Sequence, residues 1–205
     1  LMWILIAIKP QMIADVLPDY APVLKSGGCF VSIAAGCSVA TIAKVVGDAA
    51  IVRVMPNMGA MVGLGVSGLF PNRACSVTQM GDVTALIART GTCVQLKSED
   101  EIDRLTAVSG SGPGYVFEIM RSYVEAAKAV GFDQDTARSL VFDTIAGAVE
   151  TARQSDASLE DLRNSVTSKN GTTQAGLAQL MRGAQLDGLL HDTVQAAYAR
   201  ADALK

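Results

Sequence analysis

The sequence predicts an α/β fold followed by an all-α region: a partial, mostly parallel sheet over residues 1–97 and a helical half over residues 98–205. Three observations predict it. Short apolar runs alternate with amphipathic helical stretches up to Gln95, the pattern of an open parallel sheet. No convincing strand follows Ser98. From there apolar residues recur at helical spacing, as in Val116, Ile119, Met120, Tyr123, Val124 and Ala127. No stretch rich in Pro, Gly or Ser separates the halves, so the boundary near Ser98 rests on the change of period.

Taken in order, the chain opens Leu1-Met-Trp-Ile-Leu-Ile-Ala-Ile8 and then meets Lys9-Pro10. This apolar run is too short to cross a membrane, which takes about 20 residues. No basic segment precedes it and no small-residue cleavage site follows, so it does not read as a secretion signal. It reads as a buried parallel strand, Met2–Ile8. A chain rarely begins inside a core strand, so sequence ahead of Leu1 is expected to have been lost. Further strands are expected at Cys29–Ile33, Ala50–Met55, Val66–Pro71 and Thr92–Gln95, with helices near Met12–Leu17, Ser38–Val46 and Val77–Ala88. In the second half, Ser98-Glu-Asp-Glu-Ile-Asp103 is an acidic helix start, favoured by the helix dipole. Gly131 is a stop for the helix that carries Val116 to Ala127. Ser158-Leu-Glu-Asp161 has the pattern of a capping box, and Gln174–Met181 reads as a further helix.

Composition narrows the function classes. Half of the 205 residues are apolar and 18% are charged, the balance of a folded chain rather than a disordered one. The net charge is -3 and basic residues are scattered, which argues against nucleic acid as a partner. Cys29, Cys37, Cys75 and Cys93 form no C-x-x-C pair, and His191 is the only histidine, so no zinc site is expected. The thiols read as reduced and mostly buried, in a cytoplasmic protein with no membrane partner.

Four clusters are candidates for chemistry. Ala7-Ile8-Lys9-Pro10 and Ser32-Ile-Ala-Ala-Gly36 each end a strand, where ligands bind in open α/β sheets. Lys9 suits a phosphate or ribose, and small residues at Ala34, Ala35 and Gly36 let a planar ligand approach the backbone. A solvated lysine and a tight strand–helix turn are the plainer readings. Met55-Pro56-Asn57 offers an amide with donor and acceptor, in what is equally an ordinary turn. Ser109-Gly-Ser-Gly-Pro113 stands before a long helix, with Pro113 suited to the first helical position. Its glycines expose backbone N–H groups and Ser111 adds a hydroxyl, an N-terminus that favours a carboxylate. Lys169-Asn-Gly-Thr-Thr173 makes a second polar turn. The two turns together suit one small carboxylate; two ordinary capped helices also account for them.

Ala7-Ile-Lys-Pro10, Ser32-Ile-Ala-Ala-Gly36, Arg53-Val-Met-Pro-Asn57, Glu99 to Thr106, Ser109-Gly-Ser-Gly-Pro113 and Gly171-Thr-Thr173 occur in an order that resembles pyrroline-5-carboxylate reductases. The similarity runs over essentially the whole chain, and Glu99 through Phe117 is its most diagnostic run. The resemblance implies a partial Rossmann domain at 1–97 and a helical dimerisation and substrate domain at 98–205. It implies hydride transfer from NADPH or NADH to the imine carbon of pyrroline-5-carboxylate, giving L-proline. Members are homodimers through the helical domain, and some build decamers. By resemblance, Ala7, Ile8, Lys9, Pro10, Ala34, Ala35, Gly36 and Asn57 line the cleft for NADP or NAD. Glu99 and Ser111 lie at the substrate site beside Gly112, and Gly171, Thr172 and Thr173 close on the substrate carboxylate from the partner subunit. Glu99 is further expected to help a positive ring nitrogen bind.

Three departures from the family pattern carry expectations. A Gly-x-Gly-x-x-Gly or close variant stands near the start of family members and is not found near Leu1; a molecule that began there would hold cofactor very weakly. Lys169-Asn170 replaces the usual Pro-Gly, so the carboxylate turn is expected to sit differently. Gly114 replaces the usual Ala and should loosen the first turn of its helix. Two competing readings remain: an inactive dimeric fragment that keeps a substrate-pocket remnant, and a dehydrogenase of the β-hydroxyacid type with Lys128 as its lysine.

Overall fold

The computed structural model describes residues 2–204; Leu1 and Lys205, the outer ends of the two expected halves, lie outside the described residues. One sheet runs in the spatial order β1 (Trp3–Ile6), β2 (Cys29–Ser32), β3 (Ala50–Met55), β4 (Gly65–Pro71) and β5 (Gly91–Gln95). The pairs β1–β2, β2–β3 and β4–β5 are parallel, and β3–β4 is antiparallel. Strand β3 has the expected ends, and the other strands shift by one or two residues.

The central strands form because their side chains are buried on both faces. Every residue of β2 is buried, and so is β3 from Ala50 to Val54. Phe30 and Ile51 point to one face and pack on Ile13 and Leu17 of α1 (Ile13–Tyr20) and Ile42 of α2 (Val39–Val46). Val31, Val52 and Val54 point to the other and pack with Met80 and Val83 of α3 (Val77–Ile87). Such two-sided burial reads in sequence as an apolar run without strict alternation.

Local signals set the helix limits. Helix α1 starts one residue later than expected, because Pro10–Met12 forms a 3-10 turn ahead of it, and it continues across Pro18 to Tyr20. Ser38 caps α2 by accepting from the Thr41 N–H at 3.0 Å. Ser76 and Gln79 form a full capping box at α3. At β4–β5, Gly65 lies opposite Gly91, which has φ +139°; a Cβ on Gly91 would lie 2.0 Å from the Gly65 carbonyl oxygen. Only glycine permits that approach.

Beyond β5 the chain is helical: α4 (Glu99–Leu105), a wide π turn at Thr106–Gly110, α5 (Gly112–Ala129), α6 (Gln134–Arg153), α7 (Leu159–Ser165), α8 (Thr172–Leu180) and α9 (Gln185–Asp202). Gly131 ends the α5 run as expected, with φ +109° and its N–H on the Lys128 carbonyl at 2.9 Å. The expected capping box at Ser158 takes a different form. Ser158 Oγ accepts from the Asp161 N–H at 3.0 Å, but its hydroxyl and the Asp161 carboxylate lie 2.7 Å apart. Aspartate is one methylene shorter than the glutamate of the usual box, and its carboxylate meets the serine hydroxyl.

The change from strand–helix alternation to helices alone falls between Gln95 and Glu99. Packing divides the chain elsewhere. Residues up to Pro113, together with those from Val194 onward, form one compact unit, and Gly114–Thr193 form a second. The second unit has a small core of Val124, Ala137 and Val141, with Ala127, Phe142 and Ile145 packed against it. Many of its large apolar residues are exposed, among them Val116, Ile119 and Tyr123 at 47%, 49% and 49%. Among the described residues no helix is long and apolar enough to cross a membrane.

Candidate functional site

Three of the expected segments leave the sheet at the C-terminal ends of adjacent parallel strands. Ala7–Pro10 follow β1, Ile33–Gly36 follow β2, and Pro56-Asn57 follow β3. The Ile33 N–H donates to the Ile6 carbonyl at 3.0 Å, so the first two segments depart side by side. Lys9 is exposed, and its carbonyl accepts from the Met12 N–H at 2.9 Å, which closes the 3-10 turn at Pro10. Ala34 is buried and its N–H meets Ser32 Oγ at 3.3 Å, whereas Ala35 and Gly36 are open to solvent. Gly36 takes φ +71°, a conformation that other residues rarely adopt. The result is a small-residue ledge just beyond the sheet.

Asn57 is placed differently from the simple expectation. Its Oδ1 accepts from the Val66 N–H at 3.0 Å, and its Nδ2 donates to the Ser109 carbonyl at 3.2 Å and to Ser109 Oγ at 3.1 Å. The amide is engaged by the protein itself, tying the end of β3 to the start of β4 and to the π turn.

Glu99 opens α4, and its Oε1 accepts two hydrogen bonds. One comes from the Val39 N–H at 2.8 Å, the other from Arg53 Nη1 at 3.1 Å. The Val39 N–H is the first of α2, one of the donors that a helix leaves unmet inside itself, and a carboxylate there is favoured by the dipole. Arg53 lies inside β3 with its side chain 8% exposed, against 28% for Glu99. A charged residue that deep in a strand requires a partner.

These groups border a cavity of about 320 Å³ that includes Ala35, Gly36, Ser38, Arg53, Glu99 and Asp103 in its lining. Ala201 and Leu204 from the end of the chain complete one side of it. A clasp holds that terminal stretch: Tyr198 donates to Asp100 Oδ1 at 2.6 Å, and Arg104 pairs with Asp100 Oδ2 at 2.5 Å. The Tyr198 hydroxyl titrates above its ordinary range, chiefly because of the hydrogen bond to Asp100.

The expected helix N-terminus at Ser111 is replaced by near-continuous helix. Ser109 and Gly110 lie in the π turn, and the Ser111 N–H donates to the Thr106 carbonyl at 2.8 Å, so Pro113 falls at the second residue of α5 rather than the first. Thr106 favours this path by donating its own hydroxyl to the Ile102 carbonyl at 2.7 Å. Wide turns of this kind recur at functional sites. Ser111 and Gly112 follow it directly and are half-buried.

Gly171, Thr172 and Thr173 belong to the second unit, at the start of α8. Gly171 is tightly enclosed: a Cβ there would sit 2.3 Å from Ser168 Oγ. Asn170 has φ +59°, and its N–H donates to Gln174 Oε1 at 2.6 Å. That is the left-handed region, where asparagine is the best-tolerated substitute for glycine. The departure Lys169-Asn170 therefore has a local account.

The chemistry available is binding and positioning. Burial pushes the Cys29 thiol up to about 12 and raises Cys37, which disfavours both as thiolate nucleophiles. Among the described residues no group of His, Cys, Asp or Glu is arranged to hold a metal ion. Sequence reasoning missed Arg53 as a site side chain, along with Asp103, Ser38, Thr41 and Thr106 of the cavity wall. The signal for Arg53 was present: it is the lone charge in the apolar run Ala50–Met55.

Comparison with known proteins points to one family. Residues 99–204 match a family model described as pyrroline-5-carboxylate reductase dimerisation. The chain is 35% identical over 198 residues to the pyrroline-5-carboxylate reductase of Pseudomonas aeruginosa, covering 96% of this chain and 72% of that protein. It is 33% identical to pyrroline-5-carboxylate reductase 2 of Bacillus subtilis, covering 92% of this chain and 67% of that one. Among solved structures, the reductase of Coxiella burnetii superposes with a TM-score of 0.94 at 34% identity, over 99% of this chain and 76% of that chain. The Plasmodium falciparum enzyme, solved with NADP bound, gives 0.87 at 29% identity, over 99% and 77%.

Proposed function

The chain belongs to the pyrroline-5-carboxylate reductase family, and we propose that it passes hydride from NADPH or NADH to the imine carbon of pyrroline-5-carboxylate, giving L-proline. The observation that carries this reading is the cavity at the strand ends, where a small-residue ledge meets the Arg53–Glu99 pair. The ledge fits a nicotinamide cofactor: Ala35 and Gly36 are exposed and present almost no side chain, so a planar ring can lie on the backbone.

The bound nicotinamide supplies the hydride. This chain's residues bind and orient. Ala7, Ile8, Lys9 and Pro10, with Ala34, Ala35 and Gly36, line the cofactor cleft. Asn57 contributes to that cleft by fixing its wall, since its amide is held by Val66 and Ser109. Glu99 and Ser111 stand at the substrate side with Gly112. Glu99 carries a charge whose attraction for a protonated imine is shared with Arg53. Gly171, Thr172 and Thr173 of the partner subunit close on the substrate carboxylate, using N–H groups at the start of α8 and the threonine hydroxyls. Functionally the chain divides at residues 97 and 98, with the cofactor held by the first part and the substrate and dimer contacts by the second. The assembly is a homodimer in the cytoplasm, able to build decamers.

The test is an assay of the purified chain with pyrroline-5-carboxylate and each reduced nicotinamide, followed by loss of reduced-cofactor absorbance and by chromatographic detection of proline. Proline formation that depends on both reactants is expected. Its absence in protein of verified mass that is folded and dimeric would overturn the proposal.

A further inference from the structure

We propose that Arg53 is a positioning residue that acts through Glu99, locking the cofactor ledge and the substrate helix into one rigid piece. Arg53 is fixed in β3, with its side chain almost wholly enclosed. It reaches Glu99, the first residue of α4, at 3.1 Å. The same carboxylate oxygen accepts from the Val39 N–H, the first of α2, at 2.8 Å. The ledge Ala34–Gly36 runs directly into α2 through the Ser38 cap. One carboxylate oxygen therefore joins three elements: the strand that carries Arg53, the helix that follows the ledge, and the helix that leads to Ser111.

The pairing has a physical logic. A carboxylate at a helix N-terminus gains from the unmet N–H and the dipole, but 28% exposure leaves it partly desolvated. Arg53 supplies the compensating charge from a direction fixed by the strand. A charge-assisted bond from a rigid guanidinium holds the carboxylate to one rotamer. Without Arg53 the carboxylate gains by turning to water, and the Val39 N–H loses its acceptor. Ledge and substrate helix then move independently, which costs alignment of hydride donor and acceptor. The catalytic part of this inference rests on the reductase reading; the clip itself does not.

The test compares wild type with Arg53→Met, Arg53→Lys, Glu99→Gln and the Arg53→Met/Glu99→Gln double variant. Amide exchange at Val39, read by NMR, reports the clip without any ligand. Arg53→Met should speed that exchange by about tenfold or more, and Arg53→Lys, which keeps the charge but not the planar fork, should restore part of the protection. In steady-state assays, Arg53→Met should lower kcat/KM by about tenfold or more, and the double variant should be no worse than Glu99→Gln alone. Unchanged Val39 exchange in Arg53→Met overturns the proposal. So does faster exchange with wild-type kcat/KM, because the clip would then be structural only. Additive losses in the double variant also overturn it, since Arg53 would be acting elsewhere. If wild type shows no turnover, the reductase reading alone is lost and the exchange experiment still decides the clip.

Discussion

The two compact units spend their apolar residues differently. In the first, Phe30, Ile51, Val52 and Leu69 are at or below 1% exposed, and helices cover both faces of the central strands, while Trp3 and Leu5 of the edge strand β1 stay exposed. In the second, three buried side chains form the core, while Val116, Ile119 and Tyr123 run along one side of α5 in the open. Both regions carry clear hydrophobic periodicity. In the sheet unit the period points inward. On α5 the apolar stripe is wider than the core it covers, so part of it is not covered by its own unit. An exposed apolar stripe on a folded protein is the mark of an interaction site. The matching family model is described as pyrroline-5-carboxylate reductase dimerisation, which supports a second copy as the cover of such a face. Helical periodicity thus reports that a face is buried, but not by which chain.

This contrast can be broken in three ways, from the largest expected effect to the smallest. Phe30→Ala removes a fully buried ring from the sheet unit and should cost about 3–5 kcal/mol, seen in thermal or urea unfolding. A cost near zero would show that this core is not where stability resides. Ile119→Asp places a charge on the open stripe. It should weaken self-association by about 2 kcal/mol, roughly thirtyfold in Kd, measured by sedimentation over a concentration series. Wild-type association would remove α5 from the contact. Gly147→Ala lies in the interior of α6, where a Cβ meets nothing within 4 Å. It should stabilise the chain by about 0.5–1 kcal/mol in thermal unfolding, through helix propensity alone. Destabilisation joined to weaker association would place the second copy against that position.

The sheet was legible because its signals are local. Strand runs, small residues at strand ends and Gly131 after α5 each act within a few residues of themselves. The site was legible in its segments but not in its contacts. Asn57 looked like a free amide in a turn, yet its partner Ser109 lies 52 residues away. Glu99 looked like an acid favouring its own helix start, yet it serves the start of α2, 60 residues earlier. The Ser-Gly-Ser-Gly-Pro run looked like a helix beginning because Gly and Pro disfavour helix interiors. Asn57 and the Thr106 carbonyl hold the chain in a π turn there instead. Strands give way to helices between Gln95 and Glu99, yet α4 groups with the sheet, because period records local conformation and not packing partners.

The two side chains that β3 and its end extend toward the helical segment also set a length. Arg53 and Asn57 are four residues apart in extended backbone, a span of about 13 Å at strand rise. Their counterparts, Glu99 and Ser109, are ten residues apart, which in regular α-helix spans about 15 Å. The strand is therefore a gauge slightly shorter than the helix it measures. The difference is small enough for the long Arg53 side chain to reach across, and the wide turn at Thr106–Gly110 shortens the helical path in the same direction. Insertions on the two sides are then unequal. One extra residue in the helical segment adds only about 1.5 Å. One extra residue between Arg53 and Asn57 adds about 3.3 Å and reverses the face of everything beyond it.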